Sequence, residues 1–112
     1  MVKILLACLF LASCITPYDA PEEDGIVIVE YGADWCWTCH HWKPILLREA
    51  AKCPAVFKYV DTDAFEDSHI NGLYIPAIPK MSIFKDGLLV YHGWIPQELK
   101  DVREILRFAG CR

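Results

Sequence analysis

The chain has 112 residues, 54% hydrophobic and 23% charged, so it forms one domain with a core to bury and lies far from disordered compositions. Eleven Lys and Arg stand against fifteen Asp and Glu, a formal charge of -4, without a basic run; this excludes the electrostatic footprint of a nucleic-acid binder. Six cysteines in so short a chain make redox or metal chemistry the first question.

The N-terminus carries one cation, Lys3, and then an unbroken apolar stretch from Ile4 to Ala12. That is about half of the ~20 apolar residues a helix needs to span a bilayer, and it fits the apolar region of a secretory signal. A signal over residues 1–13 predicts an exported protein, periplasmic or membrane-anchored facing the periplasm. The alternative is a hydrophobic first strand of a cytoplasmic domain. Leu11-Ala12-Ser13-Cys14 resembles a lipobox, in which the cysteine after the cut carries the lipid, so Cys14 is a candidate lipidation site and such an anchor is the only membrane tie expected. The acidic, turn-rich stretch that follows makes residues 14–25 a linker and 26–112 the domain.

Ile26 to Tyr31 is a β-branched run without polar alternation, the pattern of a strand covered on both faces. From Cys36 to about Ala51, the apolar residues Trp42, Ile45, Leu46 and Ala50 recur at helical spacing, and Pro44 deletes one backbone donor inside that helix. Ala55 to Val60 reads as a second strand, and 61–73 as a polar connection holding two helical turns. Met81–Phe84 and Leu88–His92 flank Lys85-Asp86-Gly87, an Asp-Gly hairpin signal. A last helix is expected from Pro96 to Gly110, with Leu99, Val102, Ile105, Leu106 and Ala109 as its apolar stripe, Glu98 in its first turn and Arg107 in its last. This alternation predicts an α/β fold whose first two strands are parallel, because a helix crosses between them.

The chemistry concentrates at Cys36 and Cys39. Two cysteines three apart on one helical face approach the ~5.5 Å Cα separation of a disulfide. Cys36, at the helix N-terminus, is the expected exposed nucleophile, since unpaired backbone N–H groups stabilise its thiolate. Cys39, one turn inside, is the expected resolving thiol. Glu30 lies in the strand covered on both faces, where desolvation raises a carboxyl pKa toward neutrality and fits it for proton transfer. An edge-strand Glu pointing at water is the other reading.

These residues resemble the thioredoxin family from about Ile26 to the C-terminus. Trp35-Cys36-Trp37-Thr38-Cys39 is similar to the family's WCxxC, Pro44 to its helix-kinking proline, Ile78-Pro79 to its cis-proline dipeptide, Phe84-Lys85-Asp86-Gly87 to its FKNG hairpin, and Gly93 to the glycine closing its substrate groove. Within the family, Ala33 to Cys39 most resembles the periplasmic reductase domains of transmembrane thiol:disulfide interchange proteins. The resemblance implies a thioredoxin-like fold trimmed at its N-terminus, with a central mixed four-stranded sheet and helices on both faces. It implies thiol:disulfide exchange with protein substrates, in the reducing direction, by a monomer fed by a membrane electron donor and holding no cofactor or metal. Trp35, Trp37, Ile78, Pro79, Gly93 and Trp94 are the implied substrate-binding residues, with a cis Pro79 leaving the Ile78 backbone free to pair with an extended substrate. Glu30 aligns with the family's buried acid, usually Asp, as general base for Cys39. Gly32 stands where the family has a second tryptophan, and Lys80 follows the proline. In the thioredoxin layout Cys53 and Cys111 close two helices on the same sheet face; a structural disulfide and two free thiols are both open, because sequence does not report the Cα separation.

Three other readings compete. Cys36-Trp37-Thr38-Cys39-His40 fits the c-type haem attachment signature, with His40 and Met81 as axial ligands, but haem-bearing domains of this size are largely helical. Cys36, Cys39, His40 and His41 as zinc ligands lie within six residues of one helix and do not surround a tetrahedral ion. A redox-dead interaction module is disfavoured by the presence of both cysteines.

Overall fold

The computed structural model describes residues 18–112; the expected signal over 1–13 and the lipidation candidate Cys14 lie outside them. Its elements are β1 (Ile26–Gly32), α1 (Trp37–Lys52), β2 (Val56–Asp61), a 3-10 turn (Thr62–Ala64), β3 (His69–Ile70), β4 (Leu73–Tyr74), β5 (Lys80–Lys85), β6 (Leu88–Trp94) and α2 (Leu99–Ala109). Four strands make one mixed sheet in the order β2-β1-β5-β6. β1 pairs in parallel with β2 and antiparallel with β5, and β5 antiparallel with β6. The central place of β1 explains its unbroken apolar sequence, for both of its faces are covered.

Both helices lie on one face. Trp42, Leu46 and Ala50 of α1 meet Val102, Leu106 and Ala109 of α2 over Ile28, Met81 and Ile83. Val27, Val29, Tyr31 and Phe84 point the other way and pack with Ile70, Ile75, Leu73 and Tyr18. Here the expectation of helices on both faces is corrected: the second face is covered by the β3–β4 hairpin and the chain around it. The reason is local. Asn71 and Gly72 both take positive φ, 53° and 84°, the pair a tight two-residue hairpin turn requires, and they fold 69–74 back on itself where two helical turns were expected. The Asp86-Gly87 hairpin uses the same geometry, with φ of 51° and 82°. Polar atoms on this second face are paired: the Tyr31 hydroxyl donates to Ser82 Oγ at 3.0 Å, and Ser82 shares a 2.8 Å bond with His92 Nδ1.

The last helix starts at Leu99, three residues beyond Pro96. Glu98 is its extended N-cap residue and makes no side-chain cap, so Asp101 rather than Glu98 is the acid of the first turn. Ile95, buried in the helix-side core, holds the chain ahead of the helix against the sheet. The helix ends at Gly110 in the left-handed region, where the Cys111 N–H donates back to the Leu106 carbonyl at 2.8 Å, a closure that glycine permits without strain. Residues 18–25, expected as linker, bond to the domain: Asp19 N–H to the Asn71 carbonyl at 2.7 Å, Gly25 N–H to Asp86 Oδ1 at 2.6 Å, and Lys58 to Glu23 at 2.8 Å.

Candidate active site

The β1–α1 junction carries the two cysteines. Cys36 is the N-cap of α1, with extended backbone (φ -90°, ψ 101°), and its Sγ accepts the Cys39 N–H at 3.1 Å. A sulfur in the place of a capping oxygen satisfies a helix-start donor that otherwise lacks a partner. Cys36 and Cys39 are joined as a disulfide, with S–S 2.07 Å and Cα atoms 5.2 Å apart. Cys36 is 5% exposed and Cys39 0%. The expected order of accessibility holds, but Cys36 is nearly buried rather than exposed, because Ala33 and Ile78 close around the bonded pair. The Thr38 hydroxyl lies 3.6 Å from the Cys36 sulfur.

Around the sulfurs the surface is aromatic. Trp35 and Trp37 are 71% and 75% exposed, and the Trp35 indole N–H donates to Asp63 on the 3-10 turn at 2.9 Å. Ile78, from the loop before β5, is the partly buried hydrophobic residue that packs against the cysteine cluster. The peptide bonds Ile78–Pro79 and Cys53–Pro54 are cis. Trp94, at the end of β6, lies under the ammonium of its register partner Lys80, 4.1 Å from the ring centroid, and its carbonyl accepts the Tyr91 hydroxyl at 2.7 Å. Beside it, a Cβ at Gly93 would stand 3.3 Å from that Tyr91 hydroxyl, so the small residue keeps this strand end close-packed.

Beneath the cysteines is Glu30, fully buried, with neither carboxyl oxygen hydrogen-bonded within the described protein. Desolvation pushes its pKa up to about 8, against a smaller opposing pull from Lys43. Its register partner on β2 is Tyr59, whose hydroxyl is buried and also partnerless. Burial, and then the charge of Glu30, push the Tyr59 phenol up.

Residues 19–105 match the family model for thioredoxin. The chain belongs to the thioredoxin family. It is 36% identical over 68 residues to the mitochondrial thioredoxin-2 of Schizosaccharomyces pombe, a match covering 59% of this chain and 50% of that one, so it spans half of that relative's length. It is 29% identical over 84 residues to the thioredoxin of Bacillus subtilis, covering 72% of this chain and 81% of that one. In three dimensions it is similar to a thioredoxin variant from Halobacterium salinarum (TM-score 0.61, 19% identity, 77% of this chain and 75% of that one) and to Fasciola hepatica thioredoxin (TM-score 0.60, 21% identity, 78% and 83%). Thiol:disulfide oxidoreductase is the enzyme class supported by thioredoxin membership together with the Cys36–Cys39 disulfide.

Of the residues read from sequence, the thioredoxin fold gathers Cys36, Cys39, Trp35, Trp37 and Ile78 at the start of α1, places Glu30 beneath them, and sets Gly93 and Trp94 at the end of β6. The haem-attachment reading of Cys36 to His40 is not supported: the two cysteines are bonded to each other, and the His40 ring N–H is engaged by the Asp34 carbonyl at 2.9 Å. At the far end of the helices Cys53 and Cys111 are bonded, their Cα atoms 4.8 Å apart. Sequence reading missed Tyr59, Lys43 and Asp63. Lys43 carried a signal, one helical turn beyond Cys39 on the same face; Tyr59 became visible only once the β1–β2 register was known.

Proposed function

We propose that this protein reduces disulfides of protein substrates through Cys36. The observation that carries the reading is the placement of the Cys36 sulfur at the start of α1, 3.1 Å from the Cys39 N–H: a helix-start donor already aimed at the sulfur favours the thiolate that appears when the pair is reduced. In that state the Cys36 thiolate attacks one sulfur of the substrate disulfide, forming a mixed disulfide and expelling the other substrate sulfur as a thiolate. Cys39 then gives its proton to the Glu30 carboxylate, and its sulfur attacks that of Cys36, closing the Cys36–Cys39 bond and releasing the second substrate thiolate. Two electrons pass from the pair to the substrate, and a donor dithiol returns them. Burial pushes the Glu30 carboxyl up to about 8, toward the range of a thiol, so that as a base it is better matched to the Cys39 proton than an ordinary carboxylate is.

The aromatic rim of Trp35, Trp37 and Trp94, with Gly93, offers apolar contact to the chain flanking the substrate cysteine. The Ile78 and Pro79 segment, outside any strand and against the cysteine cluster, offers its backbone to an extended substrate. The apolar N-terminus supports an exported protein working on the periplasmic side, with Cys14 as the lipid attachment point and a membrane protein as electron donor.

Redox equilibration against glutathione tests the direction. A potential near the thioredoxin value of about -270 mV supports a reductase, and one near -120 mV overturns it in favour of an oxidant. Insulin-disulfide reduction that survives in Cys36→Ser overturns the nucleophile.

A further inference from the structure

Three buried side-chain atoms on the paired strands β1 and β2 have no hydrogen-bond partner within the described protein: both carboxyl oxygens of Glu30 and the hydroxyl of Tyr59. Each such orphan costs about 1–3 kcal/mol, and their concentration in one place calls for a state in which they are partnered. Glu30 and Tyr59 face one another in register on parallel β1 and β2, so their side chains leave the sheet on the same side, the side α1 covers. The Tyr59 hydroxyl is in contact with the position a Cβ at Gly32 would take, and the Cβ of Cys39 stands 2.8 Å from that same position. The hydroxyl thus lies between β1 and the resolving cysteine, in space that glycine at 32 leaves open. Over the other side of the ring, Lys43 Nζ sits 4.2 Å from its centroid.

The charged and titratable groups at this pocket or acting on it are Glu30 from β1, Tyr59 from β2 and Cys39 and Lys43 from α1, with the exposed Asp61 of β2, Asp34 ahead of α1 and Asp63 of the 3-10 turn acting on Tyr59 through charge. β5 places Met81 opposite Glu30. Apart from the thiol, the side-chain donors in this set are Tyr59 and Lys43. We propose that Tyr59 is a positioning residue for thiol exchange: its hydroxyl donates to the Glu30 carboxylate in the ionised state that receives the Cys39 proton, while Lys43, lying over the ring, holds Tyr59 in place and offsets the negative charge. This rests on the reading of Glu30 as the base for Cys39. The bond gives a partner to the Tyr59 hydroxyl and to a Glu30 oxygen when the acid is ionised, the state in which leaving that oxygen unpaired costs most.

The test compares Tyr59→Phe, Lys43→Gln and Glu30→Gln in the full chain, following insulin-disulfide reduction from about pH 6 to about pH 9 and the Glu30 carboxyl by carbon-13 NMR. Tyr59→Phe is expected to move the Glu30 titration upward and to slow reduction at neutral pH on the order of tenfold, with the rate recovering at high pH as the carboxylate forms. Lys43→Gln, on the exposed side of α1, raises the Glu30 titration through the loss of its direct charge; if Tyr59→Phe does not fold, the Tyr59 ring-carbon signals of the parent carry the test, since they are expected to follow the Glu30 titration. A Glu30 titration and pH profile unchanged in Tyr59→Phe, or Tyr59 ring signals of the parent indifferent to the Glu30 titration, while Glu30→Gln flattens the profile, overturns the positioning role and leaves Glu30 as base. A profile indifferent to Glu30→Gln overturns the base and this inference with it.

Discussion

Arg103 of α2 grips Glu49 of α1 through two nitrogens, Nε to Oε1 at 2.9 Å and a terminal nitrogen to Oε2 at 3.2 Å. Glu49 is nearly buried, and Lys52 adds a third contact to Oε2 at 3.3 Å. With the Cys53–Cys111 bond one turn further along α1, this fork fastens the two helices together at the end away from the active site.

Cutting the fork is expected to destabilise the protein without touching exchange chemistry. Arg103→Ala leaves a nearly buried carboxylate with Lys52 alone, at a cost of about 1–3 kcal/mol. The Arg103 hydrogen bonds hold the Glu49 carboxyl below its ordinary value, so this stabilisation is present above the unfolded-state pKa and lost as pH falls through the folded one. Urea unfolding at neutral and at acid pH reads it: a difference between Arg103→Ala and the parent that persists unchanged in acid contradicts the assignment.

Removing the Cys53–Cys111 bond closes off no chemistry either, but frees a loop of sequence separation 58. Cys53→Ser with Cys111→Ser is expected to lower stability by about 2–4 kcal/mol through the entropy returned to the unfolded chain. Mass spectrometry of non-reduced peptides provides the direct check, and a parent protein without a Cys53–Cys111 linked peptide would end the prediction.

Glu30 makes the opposite pH statement to Glu49. Its folded pKa of about 8 lies above the ordinary carboxyl value of 4.5, so its contribution is fully present below the unfolded value and is lost as pH rises through the folded one. Stability therefore falls across that window, by up to about 1.4 kcal/mol per pH unit. Glu30→Gln, which carries no charge to desolvate, is expected to flatten the slope. Melting temperatures measured across the window decide the point, and parallel curves for the two proteins would count against a buried, titrating Glu30.

Gly32→Ala pushes a methyl group against the Tyr59 hydroxyl and to 2.8 Å from the Cys39 Cβ. Overpacking of this kind costs about 1–3 kcal/mol. Because the hydroxyl is the nearest of the three atoms within 3.0 Å, the others being the Cys39 Cβ and the Tyr59 Cζ, Gly32→Ala combined with Tyr59→Phe is expected to lose less than the sum of the two single changes. Additivity in that double-mutant cycle would show that the two residues do not compete for the space.

Much of this was legible in the chain itself, for a definite reason. An element whose character is set by its own residues shows in the sequence: the apolar run of β1, the stripe of α2 and the Asp86-Gly87 turn were read within a few residues of where they lie. The Asn71-Gly72 turn was equally local, yet the polar residues around it read as helical turns. The start of α2 was misplaced because Pro96 suits a first helical turn, whereas packing of Ile95 keeps that stretch on the sheet.

From sequence alone come the buried strand, the helix that begins at a pair of cysteines, and the acid in the strand beneath. Tertiary structure decided what surrounds that acid: the β1–β2 register set Tyr59 beside Glu30, the packing of α1 laid Lys43 over the ring, and the absence of a Cβ at Gly32 let the hydroxyl reach toward Cys39. Periodicity along a chain reports which side of one element is buried, but not which residue of another element meets it, because that depends on how strands slide and helices seat when the whole core closes.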